Sequence, residues 1–346
     1  MSDPVAFLSK GGDPDTMYLH QAMKAPDRLE FIKAMEKEVE SHETNKHWEI
    51  IKRSDVPEGI KPLPAVWSMK RKRRVATGEI YKHKARLNVG GHKQERFVNY
   101  WETYAPVIGW SIIRFFLILA IINKWHTKQY DFVLAYPQAE SEIIQYMDIP
   151  MGFDMPDGSD KTSHCLKVLK NIYGQKQAGR IWNIHLNKIL TSKRVGFEQS
   201  SVDDCLYFRG TTILLIYVDD CIMIDPDIGN IDKAFEDIKA AGLNMTDEGD
   251  LKDYLGVDVD RKEDGTVHMT QPTLIRKILQ DVNYMERTNS KDFPALIGQT
   301  LQRSLDEPKH NREWEYRSVI GKLNYLEKST RSGQNPRRSA SMSTDS

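Results

Sequence analysis

The chain has 346 residues, 40% of them hydrophobic, which describes a folded globular protein with a sizeable core, built as one multi-lobed domain or two ordinary ones. Its 49 basic and 49 acidic residues cancel, which would exclude a nucleic-acid partner only if charge were evenly spread. Between Lys70 and Arg96, however, ten Lys or Arg residues face only Glu79 and Glu95, and between Asp225 and Asp264 thirteen acids outnumber five bases, so the neutral total hides two opposed electrostatic faces.

Along the chain, the N-terminal MSDPVAFLSKGGD has neither the basic start nor the apolar core of a secretory signal. DRLEFIKAMEKEVESH predicts a docking helix, with Leu29, Ile32, Met35 and Val39 at helical spacing and Asp27 as its cap. HETNKH, from His42 to His47, superficially matches a zinc-protease helix motif, but its histidines are one residue too far apart to share a helix face. HWEIIKR and AVWSMKRKRR read as strands, and the basic run continues through GEIYKHKARLNVGGHKQE, a hairpin-like stretch broken by Gly90 and Gly91. SIIRFFLILAIINKW predicts a helix. Its apolar run, Ile112 to Ile122, contains Arg114 and falls short of the roughly 20 residues that span a bilayer.

HTKQYDFVLAY is then a strand with Asp131 near its end and Pro137 closing it. QAGRIWNIHLNKIL carries Ile181, Trp182, Leu186, Ile189 and Leu190 on a helical stripe. Three strands follow, CLYF, ILLIYV and CIMI, with Arg209 and Gly210 turning the chain between the first two and Asp219 and Asp220 between the second and third. IDKAFEDIKAAG is a helix capped by Asn230 and ended by Gly242, with Ile231, Phe235 and Ile238 inward. DYLGVDVDRKEDGTVHM is a hairpin turning at Asp264 and Gly265. From Gln129 onward the order strand, helix, strands, helix, strand describes an α+β, ferredoxin-like sheet with helices on one face. STRSGQNPRRSASMSTDS has the composition of a tail. Cys165, Cys205 and Cys221 form no metal-spaced cluster or even disulfide framework, so free thiols and a reducing compartment such as the cytoplasm are expected, with no membrane association.

Adjacent carboxylates between apolar strands fit two readings: a solvated polar turn, or a cation site completed by Asp131 if its strand is a neighbour. Hard oxygen ligands, with a substrate phosphate, are what Mg²⁺ prefers. The motifs speak further. YVDD at Tyr217 to Asp220 and DFVLAY at Asp131 to Tyr136, with KARLNVGGHKQ, YWETYAPV, YGQKQAGRIWN, DYLGVDV, MTQP and YRSVIGKLNYL in order, resemble the reverse transcriptases of copia-type LTR retrotransposons, from about the first helix to Arg331.

That resemblance implies a right-hand polymerase with fingers, palm and thumb. Residues 1–48 would be an N-terminal extension, 49–126 fingers, 127–270 palm, 271–331 an incomplete thumb and 332–346 a disordered tail. It implies an RNA-directed DNA polymerase in which Asp131, Asp219 and Asp220 hold two Mg²⁺ ions, Mn²⁺ being a substitute, and extend a primer on an RNA or DNA template with dNTPs. Phe132 would contribute its backbone carbonyl, and Tyr136 would be the aromatic gate against a ribose 2′-hydroxyl. Lys84, Arg86 and Gln177 would contact the triphosphate. Lys176, Tyr217, Val218 and the primer-grip neighbours Leu255 and Gly256 would meet template and primer. An ordinary core tyrosine, a solvated basic strand and a plain hairpin remain alternative readings of Tyr136, of Lys84 and Arg86, and of Leu255 and Gly256. Such an element works in the cytoplasm, with a virus-like particle or the nucleus as alternatives. Gly90 and Gly91 depart from the bulkier or basic residues of the family pattern, which would loosen the fingers or remove one phosphate contact. The resemblance stops after Arg331, as a frameshift, a premature stop or a gene boundary drawn short would produce. A truncated remnant that binds template-primer without polymerising is therefore the alternative function.

Overall fold

The computed structural model describes residues 15–73, 79–156, 158–262, 266–285 and 314–330, which fall into two compact units, one running to Leu251 and the other starting at Lys252. In the first unit, β1 (Thr16–Tyr18) and α1 (Leu19–Ala22) lead into α2 (Arg28–Thr44). α2 buries Phe31, Met35, Val39 and His42, whereas Leu29 and Ile32 are exposed, so its apolar stripe lies partly round the helix from the predicted one. Asp27 stands at its N-cap, as expected, but its side chain makes no capping bond. The carboxylate instead accepts two hydrogen bonds of 2.7 Å from Arg71 and lies 2.7 Å from His83 Nε2, because a guanidinium fork outcompetes a lone amide.

β2 (Trp48–Lys52) follows, then β3 (Ala65–Arg73) and β4 (Ile80–Val89), an antiparallel hairpin whose outer neighbour is β1. α2 packs on this hairpin, and Phe31, Met35, Trp67, Met69 and Leu87 fill the core between them. After α3 (Trp110–Ile122) comes β5 (His126–Phe132). β5 ends at Phe132 rather than at Pro137, because Leu134, with φ of +51°, turns the chain into α4 (Ala135–Gln138), where Pro137 sits. β6 (Glu140–Asp148) and β7 (His164–Lys170) were not expected as strands, although Leu166 and Val168 are buried on either side of Lys167, a period-two signal. They form a separate sheet ordered β2-β7-β6.

α5 (Ala178–Leu190), β8 (Glu198–Gln199), β9 (Leu206–Arg209), β10 (Thr212–Tyr217), β11 (Asp220–Asp225), α6 (Ile228–Ala240) and β12 (Met245–Asp250) complete the unit. The main sheet runs β12-β5-β11-β10-β9-β8 with every pair antiparallel. Tyr130 and Phe132, two apart on β5 and therefore on one face, meet Phe235 of α6 and Trp182 of α5, at ring-centroid distances of 4.9 and 5.3 Å. Asp227, not Asn230, caps α6, its carboxylate accepting the Gly229 N–H at 2.9 Å, while the Asn230 amide donates to Asp225 at 3.1 Å. Gly242, at φ +101°, ends α6 as expected.

The second unit contains β13 (Asp253–Tyr254), β14 (Val257–Arg261), β15 (Val267–Thr270), α7 (Pro272–Asp281) and α8 (Tyr316–Thr330), the three strands forming one sheet. Thr330 donates to Gln271 at 3.0 Å, and Lys322 pairs with Asp281. The expected turn at Asp264 and Gly265 and the tail from 332 lie outside the described residues. Among the described residues no helix is long and apolar enough to cross a membrane. All three cysteines are buried free thiols.

Candidate active site

The β10–β11 hairpin closes with Tyr217 paired to Asp220, so its two-residue turn is Val218–Asp219, and Asp220 is already the first residue of β11. Asp-Gly or Asn-Gly would satisfy such a turn cheaply. Here Val218 holds φ of +62°, a left-handed conformation that a β-branched side chain resists at a cost on the order of 1–3 kcal/mol. Strain of this kind persists only where the surroundings impose it. The Trp182 indole N–H donates to the Val218 carbonyl at 2.7 Å, and the Phe132 N–H donates to the Asp219 carbonyl at 2.8 Å.

The register of β5 against β11 places Asp131 directly opposite Asp220. Residues in register share a face, so these carboxylates rise from the same side of the sheet, with Asp219 one residue away in the turn. Tyr130 and Phe132, on either side of Asp131, are buried on the other face. Burial raises the Asp131 pKa, and the charges of Asp219 and of Glu248 on β12 raise it further, against the pull of Lys84 and Lys72. Glu248 is a carboxylate that sequence reasoning missed, because MTDEGD has none of the composition of a strand. As they stand, no three His, Cys, Asp or Glu side chains among the described residues are grouped to hold a metal ion. Hard carboxylate oxygens that crowd like charge nevertheless fit Mg²⁺, which needs only one or two of them when substrate phosphates supply the rest.

On the β3–β4 hairpin Lys70 lies opposite Lys84, Lys72 opposite Lys82, and Ser68 opposite Arg86. Like charges facing each other across strands oppose pairing, and an anion beside them would relieve the repulsion. Burial, with Arg86 and Lys72 nearby, lowers the Lys84 pKa to about 8. Arg86 stacks its guanidinium 4.0 Å from the centre of the Tyr173 ring, and that ring lies 5.0 Å from the ring of Tyr136. Two residues expected at the nucleotide are thus joined by a third that sequence reasoning passed over. Tyr173 opens the YGQKQ stretch, and its phenol is pushed up to about 12 by burial, with the negative charge of Asp219 acting in the same direction.

Gln175, Lys176 and Gln177 form a knot. Gln177 is buried and accepts from the Gln94 amide at 3.0 Å, while Gln94 accepts from the Lys176 N–H at 2.7 Å. The Lys176 ammonium donates to the Tyr100 hydroxyl at 3.3 Å, and Gln175 donates to Gln145 at 3.0 Å. Beside them the Val89 N–H donates to the Tyr173 carbonyl at 2.8 Å. A Cβ at Gly91 would overlap the Gly174 carbonyl oxygen, and one at Gly90 would overlap the Pro64 ring. The expectation that Gly90 and Gly91 loosen this region is therefore reversed: their missing side chains let two backbones touch.

Leu255 and Gly256 lie in the second unit, as the two central residues of the β13–β14 turn. Both have positive φ, +53° and +73°, as a type I′ turn requires. The Tyr325 hydroxyl donates to the Leu255 carbonyl at 2.5 Å.

Within the first unit, then, Asp131 and Asp220 are paired across the sheet, and the charges of Lys84 and Lys72 on the basic hairpin act on Asp131. Residues 45–297 match the family described as reverse transcriptase (RNA-dependent DNA polymerase), and the chain belongs to that family. Pol polyproteins of plant copia-type transposons cover most of its length. The Retrovirus-related Pol polyprotein from transposon TNT 1-94 of Nicotiana tabacum is 27% identical over 95% of this chain and 25% of its own length. That from transposon RE2 of Arabidopsis thaliana is 29% identical over 92% of this chain and 21% of its own. The chain thus spans about a quarter or less of the length of these relatives. Among solved structures it is similar to a foamy viral protease-reverse transcriptase in complex with double-stranded DNA, with a TM-score of 0.40 and 11% identity, over 85% of this chain and 40% of that one.

Proposed function

We propose that this chain is the RNA-directed DNA polymerase segment of a copia-type retrotransposon polyprotein, extending a primer 3′-hydroxyl with dNTPs on an RNA or DNA template. The observation that carries the proposal is the pairing of Asp131 with Asp220 beside a turn that holds Asp219. Asp131, Asp219 and Asp220 would hold two Mg²⁺ ions, whose chemistry when bound is to lower the pKa of the 3′-hydroxyl and offset charge on the departing pyrophosphate. Around them Lys84 and Arg86 grip the triphosphate, and Tyr173 fixes the plane of the Arg86 guanidinium by stacking. Tyr136, braced by Tyr173, fills the space of a ribose 2′-hydroxyl. Tyr217, Val218 and Lys176 support template and primer. Taken by itself, the turn at Leu255 and Gly256 in the second unit is a candidate nucleic-acid contact. Buried Gln177 serves the nucleotide by ordering the loop that carries Lys176.

Primer extension on an RNA template with Mg²⁺ tests the proposal. The wild type is expected to extend, and Asp219→Asn to lose activity by 10²-fold or more, the order expected when a charge-stabilising group is removed. A wild type that extends nothing, or an undiminished Asp219→Asn, rejects it. Salt-sensitive duplex binding without extension would instead favour a binding-only remnant.

A further inference from the structure

Trp182 belongs to none of the roles above, yet it touches both halves of the acidic site. Its indole packs edge-on against Phe132, the residue after Asp131, with ring centroids 5.3 Å apart and planes at 70°. Its N–H donates to the carbonyl of Val218, the residue before Asp219, at 2.7 Å. Phe132 in turn donates its N–H to the Asp219 carbonyl at 2.8 Å. One buried side chain therefore closes a loop through both strands that carry the acids. An ordinary core tryptophan also finds some acceptor for its N–H. What sets this one apart is the acceptor it finds. Among the described residues Val218 is the one β-branched residue with positive φ, and the carbonyl that Trp182 holds belongs to the peptide joining Val218 to Asp219, so rotation of that peptide would swing Asp219.

We propose that Trp182 is a positioning residue, whose hydrogen bond to the Val218 carbonyl holds the hairpin turn in its left-handed conformation and so fixes Asp219 and Asp220 relative to Asp131. The catalytic meaning rests on the polymerase reading above; the mechanical claim does not. Phe at this position keeps a ring against Phe132 while removing the donor together with the second ring of the indole, so loosening from the lost volume has to be read separately, at an amide away from the turn.

The test compares wild type, Trp182→Phe, Val218→Gly and the double variant, by hydrogen exchange and by primer extension. In Trp182→Phe the Phe132 amide is expected to exchange at least tenfold faster, while the Val89 amide, bonded to Tyr173 elsewhere in the same unit, keeps its rate. Extension is expected to fall at least tenfold in kcat with KM for dNTP within threefold, and the Mg²⁺ concentration for half-maximal rate to rise. Val218→Gly, which accepts positive φ without strain, is expected to return part of both losses in the double variant. An unchanged Phe132 amide overturns the proposal whatever the activity. Equal acceleration at Phe132 and Val89 overturns it as well, since that marks general loosening, and so does an exchange change that Val218→Gly leaves untouched. If the wild type extends no primer, the polymerase reading fails while the exchange arms still decide the role of Trp182.

Discussion

Lys84 shows how a single side chain is tuned by its setting. Burial in the β3–β4 hairpin, with Arg86, Lys72 and Lys82 as like-charged neighbours and Glu38 the opposing acid, brings its pKa down to about 8. Lys84 is a cation below that value and a neutral amine above it, so a phosphate held by it under the proposed function would be released as pH rises. The expected outcome is a fall in kcat/KM for dNTP as pH passes upward through about 8, because that ratio reports the free enzyme. Lys84→Arg should move the fall to higher pH, since a guanidinium does not titrate in this range. A profile unaltered by Lys84→Arg would separate this lysine from the nucleotide. The residue pattern raised the three aspartates and the family resemblance raised Lys84, but neither could mark Tyr173, Glu248 or the backbone of Val218. Tyr173 and Trp182 read as core aromatics until their partners are seen, and a φ angle leaves no trace in composition.

Among the elements, the hairpin and the Tyr173–Gly174 loop are joined backbone to backbone. Gly91→Ala would drive a methyl group into the Gly174 carbonyl, an overpacking that typically costs about 1–3 kcal/mol. Thermal denaturation is expected to show a lowered midpoint for Gly91→Ala. If Gly91→Ala melts with the wild type, the close approach is not what holds the hairpin. Most elements were legible. Helices α2, α3, α5 and α6 and strands β9, β10 and β11 carry their period in the sequence. β12 does not: MTDEGD becomes a strand where β5 offers an open edge, with a bulge at Glu248, between Asp247 and Gly249, adjusting the register. The same limit explains the capping of α6, where Asp227 and Asn230 are both competent and only Asp225 decides which is free.

For the molecule as a whole, zero net charge predicts weak attraction to nucleic acid, whereas the segregated charge predicts strong and salt-sensitive binding. Duplex affinity is expected to fall linearly on a log–log plot against salt. Lys82→Gln should flatten that slope by about 0.9 if the side chain meets one phosphate. A slope indifferent to salt would remove the basic hairpin from the interface. The fold class and the acidic trio were legible because local pattern and motif order agree. The division after Leu251 was not, since no break in composition marks it. The sheet order has a last consequence, for synthesis. β5 carries Asp131, yet both of its partners, β11 and β12, leave the ribosome long after it. Until they arrive its two edges stay open, and non-local pairing of this kind is slow and prone to self-association. Shortened versions that stop ahead of Asp250 should therefore emerge with an unfinished sheet, and their insolubility would say nothing about the chemistry of the finished one.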